Sequence, residues 1–320
     1  MPVFYRLLSK MITEQSSPML GILFMVGSTV CFAGMHGGVR YLATQQHLHP
    51  FEIAFFRNVF GLLALAPWFL QQGLAPLRTQ RFGLHGARAL INVVAMLMFF
   101  MGLGLTPIAQ VQALGFTAPL FASLLAIFFL KEKSYLWRWN ALIVGFVGAL
   151  IIIRPGVKSV DLGSLLVVGS AAIWSCAIII IKALSRTDSS VTITAYMVLL
   201  MTPLSFLAAV FFWQWPNGEQ LLWLAFVGIS GTLAQLGMAQ ALRMTDATSV
   251  LPLDFLKLIW GALIGYIAFA EVPDAGIWIG GVTVFAAATY TAYRESHSKA
   301  AKELPTASEA RGTPPQSGAV

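Results

Sequence analysis

Residues 19–41 read MLGILFMVGSTVCFAGMHGGVRY, twenty-three residues in which Arg40 is the sole Asp, Glu, Lys or Arg. At 1.5 Å per residue, a helix of ~20 residues crosses a ~30 Å hydrocarbon core. This run is long enough to span. It is also too long, and lacks a convincing small-residue cleavage site, to be a secretory signal. A second run, residues 161–183, reads DLGSLLVVGSAAIWSCAIIIIKA and lies on the first without a gap at an offset of 142. Gly27-Ser28 falls on Gly169-Ser170, Phe32 on Trp174, Ala33 on Ser175, Arg40 on Lys182, and beyond the run Leu42 on Leu184.

The correspondence continues at an offset of 139, which pairs Thr106 with Thr245, Val111 with Val250 and Glu132 with Glu271. A register change of three residues between helices is what a loop deletion produces. Apolar runs between polar or Pro/Gly breaks lie at about 19–41, 51–70, 86–105, 110–130, 139–153, 163–182, 192–212, 220–241, 249–269 and 275–293. The runs do not alternate apolar and polar, which excludes a β-barrel. The expected fold is therefore all-α and integral to a membrane, with ten transmembrane helices in two five-helix repeats, 19–153 and 163–293. An odd number of helices per repeat turns the second copy upside down. Inverted repeats of this kind are characteristic of secondary transporters, in which two related bundles rock about a site near the midplane.

Composition supports this reading. Of 320 residues, 58% are hydrophobic and 10% are charged, against ~25% charged in ordinary soluble domains. Soluble enzymes, nucleic-acid binders and disordered chains are excluded. The net charge of +7 is explained by basic cytoplasmic loops. With both termini in the cytoplasm, fifteen of the twenty Lys and Arg residues are cytoplasmic. Arg40, Arg154 and Lys158 are external, and Arg57 and Lys257 lie inside spans. That asymmetry sets the orientation and places the chain in a bacterial-type inner membrane. Residues 1–18 form a cytoplasmic N-terminal segment, either a short interfacial helix or a tail. Residues 294–320 read as a disordered cytoplasmic tail.

Charges inside spans cost ~2.5–3.5 kcal/mol each on insertion scales and mark function. Asp254 and Lys257, three apart on one face of the ninth span, face a central cavity and bind substrate or a proton, or else form a structural ion pair. Arg57 is suited to a substrate carboxylate or phosphate because its charge cannot be lost, or else it ties helices together. Glu52 reads as interfacial. His36, among Gly34, Gly37 and Gly38, is a titratable group for proton coupling or a hydrogen-bonded packing residue. Trp174, Tyr196 and Trp260 offer aromatic faces to a planar or cationic ligand, or pack. Asn92, Gln110, Gln112, Gln235 and Gln240 line a polar path or join helices. Glu132 and Glu271 terminate and anchor helices. Cys31 and Cys176 are small apolar residues, and neither metal spacing nor a cofactor motif is present.

The chain resembles the EamA-type carriers of the drug/metabolite transporter superfamily from about Met19 to Tyr293. The resemblance rests on the two five-helix halves, on Pro119 and Lys131-Glu132 in the fourth helix, and on Gly145 and Gly148 in the fifth. Ala270-Glu271 and Gly280-Gly281 are their marks in the second half. Leu258 stands where the second half would repeat Pro119; the nearest proline, Pro252, moves the expected kink toward the cytoplasmic end. Phe51 through Arg57 and Thr245 through Asp274 look like the branch of proposed S-adenosylmethionine and riboflavin carriers. The resemblance implies ten helices, no ATPase domain and movement of small organic metabolites. The chain has no Gly-rich phosphate loop ending in Lys-Ser/Thr. The expected partners are a small polar metabolite, protons and membrane lipid, without nucleic acid; monomer and homodimer stay open. The rival readings are a membrane enzyme acting on lipid and a non-transporting receptor or scaffold. Neither explains an inverted repeat.

Overall fold

A computed structural model describes residues 18–73, 79–129, 136–154, 161–184, 187–188, 190–244 and 251–303. Expectations for Glu132, Thr245, the Lys131/Lys133 pair, the first seventeen residues and the last seventeen lie outside them. The described residues are helical with short connections. In chain order the helices are α1 (Pro18–Thr44), α2 (Pro50–Gln72), α3 (Phe82–Leu105), α4 (Ile108–Gly115), α5 (Ala118–Phe129), α6 (Leu136–Ile153), α7 (Leu162–Leu184), α8 (Ser190–Ala209), α9 (Gly218–Met244), α10 (Leu256–Phe269) and α11 (Ala275–Glu303). Tight 3-10 turns at Val210–Phe212 and Leu251–Phe255 extend α8 and precede α10.

Among the described residues, eight stretches are long and apolar enough to cross a membrane. The expected second and ninth spans are not among them. The ninth, α10, has 14 residues, about 21 Å of helix; α2 runs for 23 residues. Large apolar side chains such as Leu63, Leu90, Val147, Leu207, Leu222, Leu233, Ile267 and Ile279 point outward, as lipid-facing residues must. The last helix runs to Glu303, ten residues beyond the expected end at 293. Its added stretch is rich in Ala, Lys and Glu, which favour helix.

Local chemistry explains the breaks. Pro50 starts α2, where a missing N–H costs nothing, and His49 Nδ1 accepts from the Phe51 N–H at 3.2 Å. The expected fourth span is interrupted after Gly115: Thr117 Oγ1 donates to the Leu114 carbonyl at 2.7 Å, and Pro119 then sits in the first turn of α5. The ninth span is interrupted at the corresponding place. Its 3-10 turn contains Pro252 and ends at Phe255, 139 residues after Phe116, so the break has kept its repeat position. Phe116 and Phe255 stack, with ring centroids 6.0 Å apart, and both pack on Phe285.

Helix packing follows the repeat. The heaviest contacts are α1 with α9 and α3 with α7, equivalent pairs in the two halves; α2 with α8, α4 with α10, and α6 with α11 pack counterpart on counterpart. Gly148 and Gly280 let α6 and α11 approach so closely that a Cβ on Gly280 would lie 2.6 Å from the Gly148 carbonyl oxygen. Contacts exchanged in this reciprocal way are those of a two-fold relation.

Candidate substrate site

One stripe of α1, Thr29, Phe32, His36 and Arg40, has the spacing of a single helical face. The first three meet residues of the fourth or ninth expected span, and Arg40 meets Glu271 just beyond the ninth. Thr29 Oγ1 accepts from Trp260 Nε1 at 3.3 Å. Lys257 Nζ lies 4.3 Å from the centre of the Phe32 ring, within cation–π range. His36 Nδ1 is 2.7 Å from Gln112 Nε2. With the amide nitrogen as donor, the ring proton is left on His36 Nε2. Arg40 binds Glu271 Oε1 through Nη2 at 2.6 Å and Nε at 3.0 Å.

Asp254 and Lys257 pair at 2.5 Å, with side chains 25% and 14% accessible. His36 and Arg57 are each 7% accessible, and a Cβ on Gly231 would touch both the Arg57 guanidinium and Met35, the residue before His36. The structure thus brings Asp254, Lys257, Trp260, His36 and Arg57 of the expected site together, and adds Gln112. Gly261 makes room for that amide, since a Cβ there would lie 2.9 Å from Gln112 Cγ.

Tyr196 and Trp174 stand elsewhere. Tyr196 stacks on His85, with centroids 4.6 Å apart, and packs on Phe82. Trp174 is 38% exposed. Its repeat counterpart Phe32 faces Lys257, but the counterpart of Lys257 is Ala118, so Trp174 has no corresponding cation to engage. The same contrast runs through the site. Thr29, His36, Arg57 and Gln112 correspond to Ala171, Ile178, Leu199 and Leu251. The repeat supplies a scaffold, and substitutions at equivalent positions make one side of it polar.

Glu52, in the first turn of α2, is fully buried, and its Oε1 accepts from the Gln214 N–H at 2.6 Å, tying the start of α2 to the segment after α8. Glu271 also ties elements together: its Oε2 accepts from the Ile108 N–H at 2.9 Å, capping α4, while Arg40 reaches the Leu103 and Gly104 carbonyls. Gln110 bonds Ser164. Sequence reasoning missed the seam between α3 and α8. There His85, Arg88 and Asn92 are buried on one face of α3, and His85 Nε2 meets Asp188 Oδ2 at 2.7 Å. Their i, i+3, i+7 spacing was the available signal.

Among the described residues, no group of three or more His, Cys, Asp or Glu side chains is arranged to hold a metal ion. A lipid-exposed helical shell around a buried polar cluster, built on two related halves, defines a multi-pass membrane transporter. The chain belongs to the EamA-like transporter family, whose model matches residues 19–154 and again 161–293. It is 34% identical over 292 residues to a riboflavin transporter of Vibrio cholerae serotype O1, covering 90% of this chain and 98% of that one. It is 31% identical over 263 residues to an S-adenosylmethionine uptake transporter of Rickettsia felis, covering 82% and 89%. A riboflavin transporter of Brucella anthropi is 32% identical over 280 residues, covering 85% and 98%. A solved crystal structure superposes with a TM-score of 0.59 at 19% identity, covering 88% of this chain and 97% of the other, and so shares the fold. The chain is thus a transporter of this family.

Proposed function

We propose that this carrier moves a polar, cofactor-sized metabolite of the riboflavin or S-adenosylmethionine kind across the bacterial inner membrane by alternating access. It does so with ten spans in two inverted repeats, 19–153 and 163–293. Both termini are cytoplasmic, which puts residues 1–18 and 294–320 on that side. The substrate site is formed by Arg57, His36, Asp254, Lys257 and Trp260, with Gln112 as a further ligand. Tyr196 and Trp174 belong to other parts of the bundle.

The observation that carries the reading is the stripe on α1. Thr29, Phe32 and His36 on one helical face each meet a polar or charged partner from the two interrupted spans, and Arg40 on the same face pairs with Glu271 just past the end of α10. Interrupted helices expose backbone groups and are where carriers of this construction hold their ligands. Relatives named for riboflavin and for S-adenosylmethionine at comparable identity support the substrate class. The test is uptake of labelled riboflavin and S-adenosylmethionine into proteoliposomes. Saturable, protein-dependent uptake of at least one is expected. Absence of both would remove this substrate class.

A further inference from the structure

Like Arg88 of α3, Arg57 is, among the described residues, a buried cation without a carboxylate partner. Its guanidinium has no carboxylate within 4.0 Å among the described residues, whereas Arg40, His85, Arg154 and Lys257 each have one. Glu52, five residues away, spends its Oε1 on Gln214. Nη1 of Arg57 donates to Asn58 Oδ1 at 3.0 Å. Asn58 is itself fixed, since its Nδ2 donates to Ser205 Oγ at 3.1 Å, and Ser205 donates back to the Met201 carbonyl at 2.7 Å. The guanidinium is therefore held in one orientation by groups that do not neutralise it.

The opposite edge, Nε with Nη2, makes no hydrogen bond to a described residue. This is the side-on fork that receives a carboxylate or phosphate with two parallel N–H donors. Arg40 uses the same two atoms on Glu271. In front of the Arg57 fork stands Gly231 of α9. A Cβ there would lie 2.6 Å from Met35 Sδ, 3.2 Å from Nε and 3.4 Å from Nη2, so any larger residue would crowd both Met35 and the fork. Across the site, Lys257 is matched by Asp254. Two cations and one anion leave a formal surplus of one positive charge, and an unmatched buried charge is costly.

We infer that the transported molecule carries a carboxylate or phosphate that docks on the Nε–Nη2 edge of Arg57. The inference rests on the transport reading and narrows it to anionic or zwitterionic metabolites. Uncharged relatives of the same shape bind weakly because they leave the fork unmatched.

The test uses two pairs of ligands that differ in one anionic group: S-adenosylmethionine against its decarboxylated form, and riboflavin 5′-phosphate against riboflavin. Affinities are measured on the purified full-length chain, with gluconate replacing chloride. In at least one pair, the wild type binds the anionic member roughly ten- to a hundredfold more tightly, the range of a charge-assisted hydrogen bond. Arg57→Met abolishes that preference without weakening the member that lacks the anionic group, and Arg57→Lys retains part of it. Should Arg57→Met fail to fold, Gly231→Ala keeps the charge; its methyl displaces Met35 Sδ and crowds the fork, and it lowers affinity for the anionic member more than for its counterpart. Equal binding within both pairs, or a preference that survives Arg57→Met and Gly231→Ala, overturns the inference and leaves the transport reading intact. Failure of the wild type to bind all four compounds overturns both.

Discussion

Ser28 of α1 donates its hydroxyl to the Ala234 carbonyl of α9 at 2.7 Å. The repeat-equivalent Ser170 of α7 donates to the Ala95 carbonyl of α3, also at 2.7 Å. Ser170 is 142 residues after Ser28, and Ala234 is 139 after Ala95. The two bonds are one interaction made twice, each crossing between the halves. Ser28→Ala and Ser170→Ala should each lower stability by ~1 kcal/mol, and the double substitution should cost about their sum, since the sites share no partner. Thermal unfolding in detergent measures this. A large effect at one serine and none at the other would contradict the equivalence.

The glycines divide by what faces them. A methyl group at Gly280 would meet the Gly148 carbonyl oxygen and Ile152 at 2.6 Å or less, whereas Gly27 has nothing within 4 Å. Gly280→Ala should therefore force α6 and α11 apart and destabilise by about 1–3 kcal/mol. Gly27→Ala should be neutral or stabilise by up to about 1 kcal/mol through helix propensity. Unfolding midpoints of the two variants check both signs.

Asp188, in the connection between α7 and α8, has a side chain 5% accessible. Burial pushes its carboxyl up, but hydrogen bonds from His85 and Thr79, the attraction of His85 and a bond from Thr187 outweigh it and hold the carboxyl below the usual range. A depressed carboxyl stabilises the folded state fully above its unfolded value of ~3.9. That stabilisation is lost as pH falls through the folded value. Asp188→Asn should thus be less stable than wild type at neutral pH by about 1–3 kcal/mol. The difference should shrink only below about pH 4. A gap that closes between pH 6 and 7 would assign the pH dependence to another group.

Topology is tested separately. Asn217→Cys and Ser298→Cys should react from opposite faces with an impermeant thiol reagent, Asn217 from outside and Ser298 from the cytoplasm. Labelling of both from outside would reverse the orientation argument drawn from Lys and Arg.

The helices were legible because apolar runs and Pro/Gly breaks are local signals. The repeat was legible because Gly27-Ser28 and Gly169-Ser170 kept both identity and spacing. Asp254, Lys257, Arg57 and His36 announced themselves as charges or titratable groups in apolar surroundings. Other features depend on which helix faces which, and this the sequence does not carry. Glu52 is read from its place at a span start, but its partner, the Gln214 N–H, lies 162 residues away in the chain. Tyr196 looked like a ligand platform, yet it stacks on His85 of α3. The separation of Gln112 from the other polar span residues became visible only when Gly261 brought α10 against it.

The central claim is that the polar cluster on α1, α2 and the ninth span is the transport site. Removing Lys257 alone would strand Asp254 and confuse function with stability, because an orphaned buried charge destabilises strongly. The direct measurement is uptake by Asp254→Leu with Lys257→Met, an apolar replacement of the pair, in proteoliposomes containing verified folded protein. The account predicts wild-type stability within about 1 kcal/mol and loss of substrate uptake. Wild-type uptake by that folded double variant would contradict it and remove both residues from the site.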